Sequence, residues 1–225
     1  LLIIKIYIGM KKISLFLMLV LMSFPLFAQE NDVDLKVQEV YHACINIRDA
    51  VNANDSAAIK KSAKQLEICN TKEFVALRSK QKQESLVGHL VFDEEFAMQL
   101  ADGKDVFQLS DSINSSRTER GQTANGAIRT KTCFAKAGKS VRYTFPSMNK
   151  QILAVVAEAG GRVTMKVHVT NKKGLNKRYD DTTSVKQGLP NRKTTFMLPG
   201  DCVNIVELEV VNCSKKDISF VVISN

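Results

Sequence analysis

The stretch Val163-Thr164-Met165-Lys166-Val167-His168-Val169 decides the fold. Apolar and polar residues alternate through it without a break, and side chains of a β-strand point to opposite faces in turn. Val163, Met165, Val167 and Val169 are therefore predicted to face a core, with Thr164, Lys166 and His168 outward. Immediately upstream, Gly160-Gly161 supplies a turn, Gln151 to Ala157 is a near-continuous apolar run, and Val141, Tyr143 and Phe145 alternate with Arg142 and Thr144. Downstream, a long polar connection from Asn171 to Asn191 leads to Thr194-Thr195-Phe196-Met197-Leu198 and a Pro199-Gly200-Asp201 turn. Val203 and Ile205 share one parity and Leu208 and Val210 the other, which predicts a β-bulge near Val206. Ile218 to Ile223 reads as a terminal strand. Short, evenly spaced strands with one apolar face specify an antiparallel sandwich.

Ahead of the strands the period changes. Val33, Val37, Val40, Cys44, Ile47 and Val51 are spaced by fours and threes and fall on one helical face, with Lys36, Glu39, Asn46 and Arg48 off it. Asn52-Ala53-Asn54 breaks the pattern. Asp55 is placed to cap a second helix with Ile59, Ala63, Leu66 and Cys69 inward. So short a connection predicts an antiparallel helical hairpin, in which Cys69 faces Glu39 and Val40. Thr71 is read as the cap of a third helix holding Phe74 and Leu77. Leu86 to Phe92 is read as a strand, followed by a short helix capped by Asp93. The polar stretch from Ser110 to Asn125 reads as a loop or linker. The predicted class is thus α+β: a helical hairpin region over 29–84, then an antiparallel, jelly-roll-like β-sandwich over 85–225 with a polar linker at 110–127.

The run Ser140-Val141-Arg142-Tyr143-Thr144-Phe145-Pro146, the Gly-Gly turn, Lys193 to Leu198, Pro199-Gly200 and the closing Phe220-Val221-Val222 resemble the bacterial pre-peptidase C-terminal domain. The resemblance covers about residues 129–225. It implies a jelly-roll-like sandwich that serves in binding or chaperoning rather than catalysis. After its turn that family carries an acidic Gly-Asp-x-Asp-Leu-Tyr signature. Here Arg162-Val163-Thr164-Met165-Lys166-Val167 stands there, so no ligand role is carried over with the resemblance.

The beginning of the sequence carries an address. Met10-Lys11-Lys12, the apolar run Ile13 to Met22, and Ser23 to Ala28 have the layout of a secretory signal peptide cut between Ala28 and Gln29, with residues 1–9 upstream of a better start. The expectation is a periplasmic or secreted bacterial protein without a stable membrane span after cleavage. Removing Leu1–Ala28, whose only charges are Lys5, Lys11 and Lys12, lowers the formal net charge of the 225-residue chain from +9 to +6. An oxidising compartment permits disulfides, but Cys44, Cys69, Cys133, Cys202 and Cys213 are odd in number and lack zinc-ligand spacing. Cys202 and Cys213 flank one extended run of roughly 33 Å and cannot bond each other. Buried thiols are expected, with Cys133 the residue to watch for a pair.

No nucleophile elbow, metalloprotease helix or phosphate loop occurs, and His42, His89 and His168 are scattered. No catalytic, cofactor or metal residue is assigned and no cofactor is expected. Binding is the better reading. Between Glu119 and Glu158 there is no acidic residue, while Arg120, Arg129, Lys131, Lys136, Lys139, Arg142 and Lys150 supply positive charge. A second cationic group lies in and around the long polar connection. It supplies the candidate ligand surface, Lys172, Lys173, Lys177, Arg178, Tyr179, Arg192 and Lys193. Tyr179 is the one residue there suited to stack on a sugar, since the chain has no Trp. The expected partner is an anionic polymer, a glycan or another cell-envelope component, and not nucleic acid, because the charge excess is small and no aromatic–basic motif is present. The alternative is a small secreted hydrolase or an inhibitor-like protein. Oligomeric state is left open by the sequence.

Overall fold

The computed structural model describes residues 32–74, 78–79, 86–110, 128–179 and 188–225. The expected leader at 1–28, residues 111–127 of the polar linker and residues 180–187 of the long connection lie outside the described residues. Two units are distinguished. In Leu1–Lys36 the described residues 32–36 are helical, and Lys36 Nζ lies 2.7 Å from Asp32. The second unit, Val37–Asn225, holds the strands and the helices that follow.

Eight strands form the sandwich: β3 (Arg129–Ala135), β4 (Ser140–Ser147), β5 (Lys150–Ala157), β6 (Val163–Asn171), β7 (Asn176–Arg178), β8 (Asn191–Met197), β9 (Asn204–Asn212) and β10 (Ile218–Ser224). Sheet A has the order β3-β10-β5-β8 and sheet B the order β4-β9-β6-β7, every adjacent pair antiparallel. Successive strands pass from one sheet to the other except at the β6–β7 hairpin, which is the jelly-roll pattern. Two short strands extend the edges. β1 (Lys72–Glu73) runs parallel to β3, and the backbone of β2 (Arg78–Ser79) pairs with β4.

The alternation in β6 holds as predicted. Val163, Met165, Val167 and Val169 are buried against Val206, Leu208 and Val210 of β9 and Leu153, Val155 and Phe220 of the other sheet, while Thr164, Lys166 and His168 face out. Each such aliphatic side chain removed from water contributes about 2 kcal/mol. Phe74 closes the core edge-on to Tyr143 and Phe145, with ring centroids 5.8 and 5.0 Å apart.

The central strands β5 and β10 of sheet A are buried on both faces, which explains their unbroken apolar runs. Leu153, Val155 and Ala157 of β5 face the sandwich core, and Ile152, Ala154 and Val156 are equally buried on the other side. The helices ahead of β3 are α1 (residues 37–53), α2 (Ser56–Cys69), α3 (Glu94–Ala101) and the helical turn α4 (residues 106–110). On the second face of sheet A, α1 and the segment before α3 reach the strands. Bonds that tie the layers include Asn191 Nδ2 to Tyr41 Oη at 2.6 Å, Lys193 Nζ to Gln38 Oε1, Phe92 N–H to Thr132 Oγ1 at 3.0 Å, and Ser219 Oγ to the Leu90 carbonyl at 2.7 Å. Among the described residues, sheet B has one buried face.

Several local expectations are met. Asp55 and Asp93 accept backbone N–H bonds as N-caps of α2 and α3. Val37, Val40, Cys44 and Ile47 are fully buried along α1, and Cys69 Sγ lies 3.6 Å from Glu39 Oε2, as an antiparallel hairpin requires. Others are corrected. Leu86–Phe92 is not a strand: residues 87–89 turn, with Gly88 at φ +78°, and the backbone is satisfied by side chains rather than by a ladder. Gly88 N–H donates to Ser110 Oγ and Leu90 N–H to Glu158. Among the described residues no helix follows Thr71, because Lys72–Glu73 is drawn into β1 by Lys72 N–H to Ile128 O and Phe74 N–H to Thr130 O; Leu77 lies outside the described residues. Arg48, placed off the helical stripe, is 9% exposed, its guanidinium held by Asp49 at 2.8 Å and Asn191 at 3.4 Å. No bulge interrupts β9. Its register with β4 and β6 is continuous, and Asn204, Val206, Leu208, Val210 and Asn212 point inward in strict alternation. The parity reads wrongly from sequence because two asparagines take inward positions, where their amides satisfy carbonyls. Asn204 Nδ2 donates to Pro199 O, and Asn212 Nδ2 to Ala135 O and Lys216 O.

All five cysteines are free. Burial, and secondarily Cys69, pushes the Cys44 thiol up to about 12, so it is neutral and inert at physiological pH. Native protein treated with iodoacetamide is expected to leave Cys44 unmodified, as read by peptide mass spectrometry, with labelling only in denaturant. Labelling of the native chain at Cys44 would mean that the α1 face is not sealed.

Candidate functional site

Among the described residues, no other layer covers the outer face of sheet B. Because β4, β9, β6 and β7 pair in straight register, their outward side chains line up in rows across the sheet. One row is Arg142, Glu209 and Lys166; the next is Thr144, Glu207, His168 and Arg178. Arg142 approaches Glu209 Oε1 through Nη2 at 2.8 Å and Nε at 3.0 Å, and Lys166 Nζ lies 3.3 Å from Oε2. Burial would lift the Glu209 carboxyl. Hydrogen bonds from Arg142, Ser140 and Lys166 outweigh it and hold Glu209 below its ordinary range. The Arg142 guanidinium is raised in turn, chiefly by its hydrogen bond to Glu209. Glu209 therefore works as an internal counterion that fixes two exposed cations.

The second row is looser. His168 Nε2 is 2.7 Å from Asn176 Oδ1, and its Nδ1 is 3.9 Å from Glu207 Oε2. The rows border a shallow depression of about 260 Å³ lined by Arg142, Lys166, His168, Arg178, Glu207 and Glu209 over the backbone of Val167. Among the described residues no carboxylate pairs with Arg178.

The cationic residues expected to form one ligand surface are divided by the fold. Lys172, Lys173, Lys177 and Arg178 belong to the β6–β7 hairpin of sheet B, and Arg192 and Lys193 to β8 of sheet A. Asn171 Oδ1 accepts the Lys173 and Leu175 N–H groups and shapes the hairpin turn, while Lys173 Nζ is bound to Asp201 at 2.5 Å. Arg192 is buried at 5% exposure and reaches no ligand from solvent. Lys193 is engaged by Gln38 of α1. Tyr179 is not an open platform: one ring face stacks on Phe196 at 4.4 Å between centroids, and Lys177 Nζ lies 4.9 Å from the ring centroid. Of the expected set, Arg178 alone lines the depression. Glu207, Glu209 and Lys166, which line it beside Arg178, lie on the outward parity of strands whose inward parity drew attention to the core.

A second polar cluster lies at the opposite side of sheet A. Glu158 Oε1 and Oε2 are both 3.2 Å from His89 Nδ1, and Oε2 also meets Ser219 Oγ at 3.0 Å and Leu90 N–H at 3.4 Å. His89 packs edge-on against Phe134, and Ser219 is fully buried. Serine and histidine both bind the carboxylate and not each other, so the cluster fastens a segment rather than activating a nucleophile. Among the described residues no group of three or more His, Cys, Asp or Glu could hold a metal ion, and no helix is long and apolar enough to cross a membrane.

No family model matches the chain, and no curated protein matches it. Among solved structures it is similar to the Yersinia pseudotuberculosis-derived mitogen (9% identity, TM-score 0.34, 44% of this chain and 84% of that one). It is also similar to TmCBM61 in complex with β-1,4-galactotriose (10%, 0.30, 45% and 83%). A third is a mutant of PliG-Ec, a periplasmic inhibitor of g-type lysozyme from Escherichia coli (16%, 0.29, 47% and 93%). Such low scores bear on neither ligand nor activity. The strand order alone places the chain among α+β proteins built on a jelly-roll sandwich.

Proposed function

We propose that this is an exported, non-catalytic binding module whose ligand-facing surface is the open face of sheet B with the adjoining β6–β7 hairpin. The ligand class is a glycan or anionic polymer of the cell envelope. The observation that carries the reading is the asymmetry of the sandwich. The central strands β5 and β10 of sheet A are buried on both faces, whereas sheet B turns outward a ladder of charged side chains already fixed by Glu209. Side chains held in place before binding lose little freedom on contact, which favours recognition. The likeness of residues 129–225 to pre-peptidase C-terminal domains agrees with a binding role.

The test is retention on immobilised cell-envelope polysaccharide. Lys166→Ala and Arg178→Ala are expected to reduce retention severalfold while lowering the melting temperature by no more than about 2 °C, and Lys61→Ala and Lys64→Ala on exposed positions of α2 leave retention unchanged. Equal loss from both pairs would reduce the interaction to net charge and remove sheet B from the account.

A further inference from the structure

We infer that the depression at the centre of the sheet B face is a subsite for an acidic sugar, one carrying a carboxylate together with free hydroxyls. This deepens the binding reading above and rests on it.

The argument turns on the two kinds of group that face one another there. Arg178 is exposed at the end of its row, directly across from His168, and among the described residues it has no acidic partner. Its planar fork matches a carboxylate through two parallel N–H···O bonds. Arg142 differs, since its Nε and Nη2 are committed to Glu209. Lys166 Nζ spends one of three donors on Glu209 and keeps the rest for a ligand.

Glu207 stands between Thr144 and His168 in the same row, with its side chain 44% exposed. A carboxylate is an acceptor and takes hydroxyl protons. A simple anion would gain from Arg178 but be repelled by Glu207. A neutral sugar would use Glu207 and leave the Arg178 charge idle. A sugar carboxylate seated on Arg178, with neighbouring hydroxyls donating to Glu207 and accepting from Lys166, uses both kinds of charged group in the depression. The available space, about 260 Å³, accommodates one or two sugar rings. Because the depression is open, the ligand is read as part of a chain crossing the strands.

Affinity electrophoresis of the full chain through gels containing polygalacturonate, dextran or dextran sulfate tests this. Polygalacturonate is expected to retard the protein most. Arg178→Gln and Glu207→Gln should each weaken that binding roughly tenfold, about 1.4 kcal/mol, with unchanged melting temperature. Retardation by dextran sulfate equal to that by polygalacturonate, unaffected by Glu207→Gln, would mean charge alone and overturn the subsite. Retardation by dextran as strong as by polygalacturonate, lost in Lys166→Ala, would overturn the subsite and leave sheet B as the binding face. Indifference to all three polymers overturns the subsite, and the envelope-polysaccharide retention assay then decides the binding reading separately.

Discussion

Val167→Asp is expected to abolish folding or to lower stability by several kcal/mol. Val167 is fully buried at the middle of β6, paired with Leu208 and facing the opposite sheet. A carboxylate there has no cation or N–H to meet and would lose its hydration. Its neighbour Lys166 points the other way, with its side chain 55% exposed. Lys166→Ala removes one of the cations on Glu209 and should cost only about 0.5 kcal/mol, because the pair is solvated and Arg142 remains. Urea denaturation of the two variants separates the faces. Similar midpoints for both would overturn the strand assignment on which the whole sandwich rests.

The second large effect is expected at Glu158. Its side chain is 12% exposed and joins three elements: His89 and Leu90 from the segment before α3, Ser219 from β10, and its own position at the end of β5. Glu158→Leu strands the Leu90 N–H and the His89 ring without their acceptor, a loss of about 2–3 kcal/mol. The pH dependence has a definite sign. Burial favours the neutral acid, but hydrogen bonding and charge from His89, with Ser219 and Leu90 N–H, outweigh it and hold the carboxyl below its ordinary value. A group whose folded value is depressed contributes stability above its unfolded value, and that contribution is lost as pH falls through the folded one. Wild-type protein should therefore lose stability below about pH 4.3, the unfolded glutamate value, by an increment that Glu158→Gln lacks. Thermal melts of both proteins between neutral and acid pH measure it. Identical acid slopes would remove Glu158 from the stability of the fold.

The strands of the sandwich are legible because burial on one face writes a period of two into β4 and β6, and burial on both faces writes an apolar run into β5 and β10. What is not legible has distant causes. Leu86–Phe92 has the composition of a strand, yet its partners are side chains at Ser110, Thr132 and Glu158, which no local pattern announces. Arg48 is buried by Asn191, brought to it only when the helices close over sheet A. Two residues of β1 are too few to carry a period. The candidate site is half visible in the sequence. The cations of the β6–β7 hairpin stand out in the sequence, but their separation from Arg192 and Lys193 follows from which sheet each strand joins. Glu207 and Glu209 matter through cross-strand neighbours, and register is not written in either strand alone.

Strand β10 lies in the interior of sheet A, where Phe220 pairs with Cys133 of β3 on one side and Ala157 of β5 on the other. It is also the last strand in sequence order, so a chain emerging from the ribosome lacks the centre of that sheet until β10 has been made. Such long-range closure is slow compared with forming helices or hairpins. Until it occurs, β3 and β5 each present an unpaired edge bearing apolar side chains, a surface on which folding helpers or other nascent chains can act. The same delay keeps the polypeptide loose until synthesis has passed β10.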